Sequence, residues 1–457
     1  MSWSDNFAPV RMRRVAVVAP VDAIRQTLVE VAAAGVLEFD HIAAGERVDT
    51  DTVSPLLSRA EPDLDALEQA GRADLLVGER QLGGRLDAAV HRGRIAAWAG
   101  WCPQPAVDGL RERLRPLGTA VVPLPTPAGI DPPTLLTTSP RVRRAFAPLV
   151  GIYGTVPYRD IDPTVAAGLA YVAMFGMMFG DLGHGLLLIA AAAVLRSGRI
   201  PRLAALRRLW VFVAGAGLAA AVFGVLYGEF FGPTGLVPVV WLNPLDQPVR
   251  LMVVALAAGA VLLGLSYGFG TVNRWREGGL RLALYSSAGI AGAATFLGLG
   301  AVVAAGVLWR LPAMLAGGAA ATTAGLVLSL IGMLGESGGG ATGVVRSGIG
   351  LLDVVMHIGS NVVSFARLAA FGMTHAALGW VVWRGTLAVA DRGPAGIVFA
   401  AVFFVVGNVL AFALEALVAG VQALRLEFYE LFSRIFAGTG RPFTPWRIPI
   451  EETEQPC

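Results

Sequence analysis

Lysine is missing from this chain: all 36 basic residues among its 457 are arginine. A phosphate-gripping P-loop needs glycines followed by lysine, so no nucleotide-driven engine of that kind lies here. Charge of both signs is scarce, at 15% of residues, where a soluble domain carries about a quarter. The two cysteines, Cys102 and Cys457, are too few and too far apart for a disulfide framework or a thiolate metal site. Histidines 41, 91, 184, 357 and 375 lack the paired spacing of metal ligands, and no G-x-S-x-G nucleophile motif occurs. No cofactor is therefore expected. The formal charge of +3 is scattered rather than patched, which argues against a nucleic-acid partner. The opening "MSWSDNFAPVRMRR" lacks the apolar core of a signal peptide.

What the chain has in excess is oil. Hydrophobic residues make up 55% of it and the mean hydropathy is +0.63, so most of the chain belongs in lipid. Only residues 1–145 are polar enough for a soluble head. There "VAVVAP" (15–20) reads as a buried strand, followed by helical spacing of Ile24, Leu28 and Val31, a stop at Gly35, and a second strand in "VLEFDHI". The pattern recurs with "RIAAWAGW" (94–101), a helix carrying Val107, Leu110 and Leu114, a stop at Gly118, and "AVVPL". The expected fold is a small cytoplasmic α+β head with a short helical arm (about 50–90), then a proline-rich linker (123–134) and a junction (146–164). An α-helical polytopic membrane domain (165–440) and a tail (441–457) complete it.

Apolar blocks of about 20 residues place spans at 207–230, 249–273, 281–309, 313–334, 349–389 and 395–437, the last two long and tilted. Segment 165–196 is long for one span and is broken by "GDLGHG" (180–185). Loop 196–208 holds five arginines and should face the same side as the head. Segment 165–196 must then cross and return, giving eight spans with both termini cytoplasmic in a multi-pass cell-membrane protein. The loop "GPTGLVPVVWLNPLDQP" has no basic residue (outside), whereas "RWREGGLR" has three (inside), as do Arg434, Arg441 and Arg447 near the end.

The last two spans carry polar stripes. Stepping 100° per residue, Asp353, His357, Asn361, Ser364, Arg367 and His375 fall on one face over about 33 Å. In the final span Asn408, Glu415, Gln422 and Arg425 share a face in the same way. Serine and amide groups often only glue membrane helices together. Two arginines, two histidines and two carboxylates aligned through a whole bilayer are better read as an ion or proton path. Histidine and carboxylates can relay protons; arginine cannot, and acts as a fixed positive wall.

Read along its length, the sequence resembles the membrane stator subunit (a or I) of rotary V-type (A/V-type) ATPases, the 116 kDa subunit family. The resemblance rests on "DPPTLLTTSPRVRRAFAPLVGIYGTVPYRDIDPT", "MFGMMFGDLGHGLLL", "FGVLYGEFFG", "SNVVSFARLAAFGMTHAAL" and "LEALVAGVQALRLEFYELFSRIFAGTGRPFTPW", in that order. It implies a non-catalytic, proton-translocating subunit beside a proteolipid rotor ring in the lipid bilayer. The implied partners are peripheral-stalk subunits, a central-stalk subunit and a soluble ATPase sector. Arg367 and Arg425 match the family's two essential arginines, whose field favours the ionised ring carboxylate. Glu415 and His375 match its exterior half-channel, with Asn408 on the same side. Asp353, His357 and Asn361 sit where the cytoplasmic half-channel lies, His357 in place of an amide, and Gln422 and Ser364 would orient the guanidiniums.

Other motifs read more plainly. Asp181 and His184 accommodate a helix break, with the glycines allowing close packing. Met174, Met177 and Met178 are filler, and Trp380 and Trp383 are interfacial anchors. Glu229 ends a span near the exterior, and hydrating the exit path is the lesser of its readings. The family's head is far larger, with a long coiled-coil arm. The alternatives are a stand-alone ion channel or secondary transporter, against which the only helix break lies away from the stripes, and a structural anchor whose stripes merely pack.

Overall fold

A computed structural model describes residues 8–40, 53–127, 129–136, 141–309, 311–337, 340–436 and 438–451. The end of the expected second strand (His41, Ile42), the first residues of the arm and Cys457 lie outside these. The chain forms two compact units: Pro9–Leu136 with Gly440–Cys457, and Met1–Ala8 with Thr137–Thr439.

In the smaller unit, β1 (Met12–Pro20) leads into α1 (Ile24–Ala34), β2 (Glu38–Phe39), α2 (Leu64–Gln69) and α3 (Ala73–Asp87). Then come β3 (Val90–Arg92), β4 (Ile95–Pro103), α4 (Val107–Leu114) and β5 (Ala120–Pro123). Both strand–helix–strand repeats expected from the sequence are there. Gly35 ends α1 with φ 58°, a left-handed backbone that only glycine adopts at little cost. The sheet order β2-β4-β1-β5, antiparallel throughout, inserts β4 between the strands of the first repeat, a split β-α-β arrangement. The core includes Val15, Val17, Leu28, Val31, Trp98, Leu110 and Leu114. The segment after 440 completes this unit. Trp446 meets Phe39 edge-on at 5.7 Å, Arg441 pairs with Glu38 at 3.1 Å, and Glu451 pairs with Arg72 at 2.9 Å.

The larger unit begins with α5 (Arg141–Tyr153), α6 (Thr164–Met178), α7 (Leu182–Ser197) and α8 (Trp210–Tyr227). It continues with α9 (Pro248–Tyr285), α10 (Ile290–Val303), α11 (Pro312–Glu336), α12 (Gly340–Ser364), α13 (Ala366–Ala390) and α14 (Pro394–Leu426), followed by a π-turn at Glu427–Phe432. Among the described residues, five stretches are long and apolar enough to cross a membrane: Pro201–Tyr227, Pro248–Tyr285, Pro312–Glu336, Gly340–Ala390 and Pro394–Ile435. Thr164–Met178, Leu182–Ser197 and Ile290–Gly306 are shorter apolar helices. Large side chains such as Leu378, Val402, Val405, Val409, Leu414 and Leu417 stand exposed on α13 and α14. A surface so apolar fits lipid or an apolar partner, not water.

Two features position the candidate site. The expected seventh span is interrupted: α12 and α13 meet at Phe365, whose side chain is fully buried. The α7–α8 crossing is tight, since a Cβ on Gly185 would lie 2.5 Å from the Ala221 nitrogen and 2.8 Å from the Gly217 carbonyl. The close packing expected of "GDLGHG" is therefore present. Met174, Met177 and Met178 are buried and fill the core beside this turn.

Candidate functional site

Asp181 sits in the break between α6 and α7 with no exposure to solvent. Its Oδ1 accepts the His184 backbone N–H at 2.8 Å, capping α7, and its Oδ2 accepts the Gly232 N–H at 2.8 Å. The second bond ties the break to the loop after α8, and the Leu182 N–H donates to the Glu229 carbonyl at 3.0 Å in the same place. The cap accounts for Asp181 as a structural residue. It does not account for His184, whose ring lies 5.7 Å from that of His375 on α13.

His375 is buried and its Nδ1 hydrogen-bonds Glu415 of α14. Glu229 is buried with its Oε2 unpartnered among the described residues and feels the charges of His375, Asp181 and Glu415. Phe179 and Phe412 wall the group, their rings 4.9 Å from His375 and 5.5 Å from His184. Asn408 lines a cavity of about 250 Å³ with His184, Phe231, Phe404 and Phe412. Five ionisable side chains thus converge from α7, α13, α14 and the two turns. The helix break was expected to lie away from the polar stripes; it lies against one of them, because α6, which ends at the break, packs on α13 and α14.

A second cluster lies at the other end of the stripes. Asn361 of α12, with its amide oriented to satisfy both ends, donates to Glu430 Oε2 at 2.8 Å and to the His357 carbonyl at 3.0 Å, and accepts from Arg434 Nη2 at 3.3 Å. Arg434 in turn lies 5.6 Å over the Tyr267 ring, within cation–π range. Glu430 faces Ser364, Arg367, Arg425 and Arg434, and Arg367 and Arg425 feel one another. Arg367 lines an open groove of about 660 Å³ with Ser360, Ser364 and Met356, while Arg425 is exposed.

Other sequence candidates are placed less centrally. His357 and Asp353 pair at 3.2 Å on an exposed face of α12. Ser364 Oγ donates to the Ser360 carbonyl at 3.0 Å, and Gln422 Oε1 is buried without a partner among the described residues, so it accepts from neither guanidinium. Glu430 and Arg434 escaped the sequence reading, which took Arg434 only as a charge marking the inner side. Their i, i+4 spacing just beyond Arg425, in "RLEFYELFSR", was the available signal. Glu427 escaped it too: it is fully buried, with both carboxylate oxygens unpartnered among the described residues.

In chemical terms one end offers an imidazole between carboxylates, a set that can take up and release protons. The other holds a carboxylate among guanidiniums and an amide. Between them stand two cations that keep their charge.

A family model described as "V-type ATPase 116kDa subunit family" matches residues 86–232 and 343–448. Those stretches contain every member of both clusters except Tyr267. Similar curated proteins include the A-type ATP synthase subunit I of Pyrococcus horikoshii, 26% identical over 405 residues (83% of this chain, 58% of that protein). That of Aeropyrum pernix is 30% identical over 373 residues (71% and 52%), and that of Pyrococcus abyssi 25% over 444 (90% and 65%). The chain spans a little over half the length of the first two.

Proposed function

We propose, on the premise that this chain belongs to the V-type ATPase 116 kDa subunit family, that it is the membrane stator of a rotary ATPase. In this role it carries protons between two half-channels and a rotor ring, and catalyses no reaction itself. The three shorter apolar helices cross with the five long ones, making eight spans with both termini inside. His375, Glu415, Glu229, His184, Asp181 and Asn408 line the outer half-channel. Asp353, His357, Asn361 and Glu430 line the inner one.

Arg367 and Arg425 stand between them, at the surface a ring of acidic small subunits passes. A guanidinium within a few ångströms favours a carboxylate over a carboxylic acid, so a ring acid reaching the arginines gives up its proton. The observation that carries this reading is the placement of two arginines on α13 and α14, Arg367 at an open groove and Arg425 exposed, close enough to feel one another's charge. A pair that merely packed helices would be buried and neutralised.

The test is ATP-driven proton uptake into liposomes by the reconstituted complex carrying Arg367→Ala or Arg425→Ala. Uptake falls to background while the ring and soluble subunits still co-purify. Uptake at the unchanged rate in either variant overturns the mechanism, and a chain that purifies alone and conducts alone supports a channel instead.

A further inference from the structure

We propose that the cluster at the α6–α7 break is also a binding site for a borderline-soft divalent metal ion, Zn²⁺ by the chemistry of its donors, held by Asp181, His184 and His375. One ligand atom from each of these buried residues lies within 4.8 Å of the others. A tetrahedral ion with bonds of about 2.0–2.1 Å sets its ligand atoms about 3.3 Å apart, so side-chain shifts of an ångström or so close the site. The three residues are more than 190 positions apart at the extremes, which is why no ligand spacing shows in the sequence.

A second observation points the same way. Neither ring nitrogen of His184 has a hydrogen-bond partner among the described residues, although the side chain is buried. A buried imidazole without a partner forfeits its hydration, and its Nδ1 already faces Asp181 Oδ1 at 3.7 Å. Each oxygen of Asp181 uses one lone pair on a backbone N–H and keeps another for a cation.

His375 is prepared for ligation as well. Its Nδ1 is held by Glu415, which leaves Nε2 for the metal and reproduces the carboxylate–histidine–metal arrangement that orients the ring and raises its basicity. Glu229, with a buried oxygen unpartnered among the described residues, is a further carboxyl beside the same group. Two imidazole nitrogens and a carboxylate suit zinc far better than calcium or magnesium, which take all-oxygen sets.

Because the same side chains line the proposed outer half-channel, a bound ion displaces the proton it would carry; this consequence rests on the function proposed above. Zn²⁺ added from the outer face therefore slows proton uptake, and removal with a chelator restores it.

The direct test is Zn²⁺ binding to the purified membrane complex, followed by X-ray absorption at the zinc edge and by the visible spectrum of Co²⁺ put in its place. The expected result is one saturable ion per copy of this chain, with two imidazoles in the coordination shell and tetrahedral Co²⁺ absorption. His184→Gln weakens binding at least tenfold in a complex that melts as the parent does. A zinc spectrum without histidine scattering, which needs no variant, overturns the site, and so does unchanged affinity in His184→Gln. Binding with two imidazoles but no effect on proton uptake leaves the metal site standing and overturns the outer half-channel assignment.

Discussion

Replacing Asp181 separates what this residue does as a cap from what it does as a charge. The side chain is fully buried and accepts two backbone N–H groups at 2.8 Å each, from His184 and Gly232. Hydrogen bonds to a charged group are worth about 1.5–3 kcal/mol each, and buried donors left unpaired bear the loss in full. Asp181→Ala removes both and strands both donors, for a loss of about 4 kcal/mol. Asp181→Ser retains an oxygen for the His184 N–H but cannot reach Gly232, so about 2 kcal/mol is lost.

At about 2 °C per kcal/mol for a unit of this size, the melting temperature drops by about 8 °C in the alanine variant and about 4 °C in the serine variant. Intrinsic fluorescence of the complex in nanodiscs reads the change locally, since Trp241 stacks on Tyr227 at 6.4 Å, close to the Gly232 loop. A shift under about 1 °C for Asp181→Ala refutes the reasoning. So would equal losses in the two variants, which would leave the helix cap with no energetic role.

Three further outcomes follow from the packing. Glu430→Gln removes the charge that faces Arg367, Arg425 and Arg434; ATP-driven proton uptake falls at least tenfold with the complex intact, and Glu430→Asp recovers part of it. Burial pushes the Cys102 thiol up to about 12, which at pH 8 lowers its thiolate fraction about 1000-fold, so maleimide labels it only after the head unfolds; rapid labelling of the native chain contradicts this. Asp160, in the loop before α6, is pushed up to about 7 by burial, with Glu277 beside it adding to the rise. The native state then holds a proton that the unfolded chain has released, so stability falls as pH rises from about 4 to 7 and is flat above. Asp160→Asn abolishes that fall, which melting curves between pH 5 and 8 detect.

Much of the architecture could be read directly from residue order. Glycines 35 and 118 mark helix ends because both take left-handed backbone angles, φ 58° and 68°, and the alternating burial of β1 matches "VAVVAP". Helical periodicity grouped Arg367 with His375 and Glu415 with Arg425 because those pairs share single helices. Periodicity fails where partners come from different helices. His184 meets His375 across 191 positions, and Asn361 meets Glu430 across 69, contacts set by how the α6–α7 break and the π-turn pack rather than by spacing. The break between α12 and α13 at Phe365 was also hidden, for no proline or glycine marks it. There a buried ring fills the space left by Gly259 on α9.

The sequence of the two stripe helices, taken with these clusters, narrows the mechanism further. Between Asn361 and His375 the only ionisable side chain is Arg367, and between Glu415 and Glu427 the only one is Arg425. Neither can release its proton at any pH the protein meets, so along both helices the titratable groups at one end are cut off from those at the other by a group that cannot relay. Water is no easy substitute, since two like charges close enough to feel one another raise the cost of a hydronium beside them. On the function proposed above, a continuous proton path within this chain would be interrupted at the arginines. In that proposal net transfer would need a carrier that picks up a proton on one side, leaves the guanidiniums, and returns on the other. An acid borne past Arg367 and Arg425 by a separate, moving subunit meets that need, and the open groove beside Arg367 is where it would meet the chain.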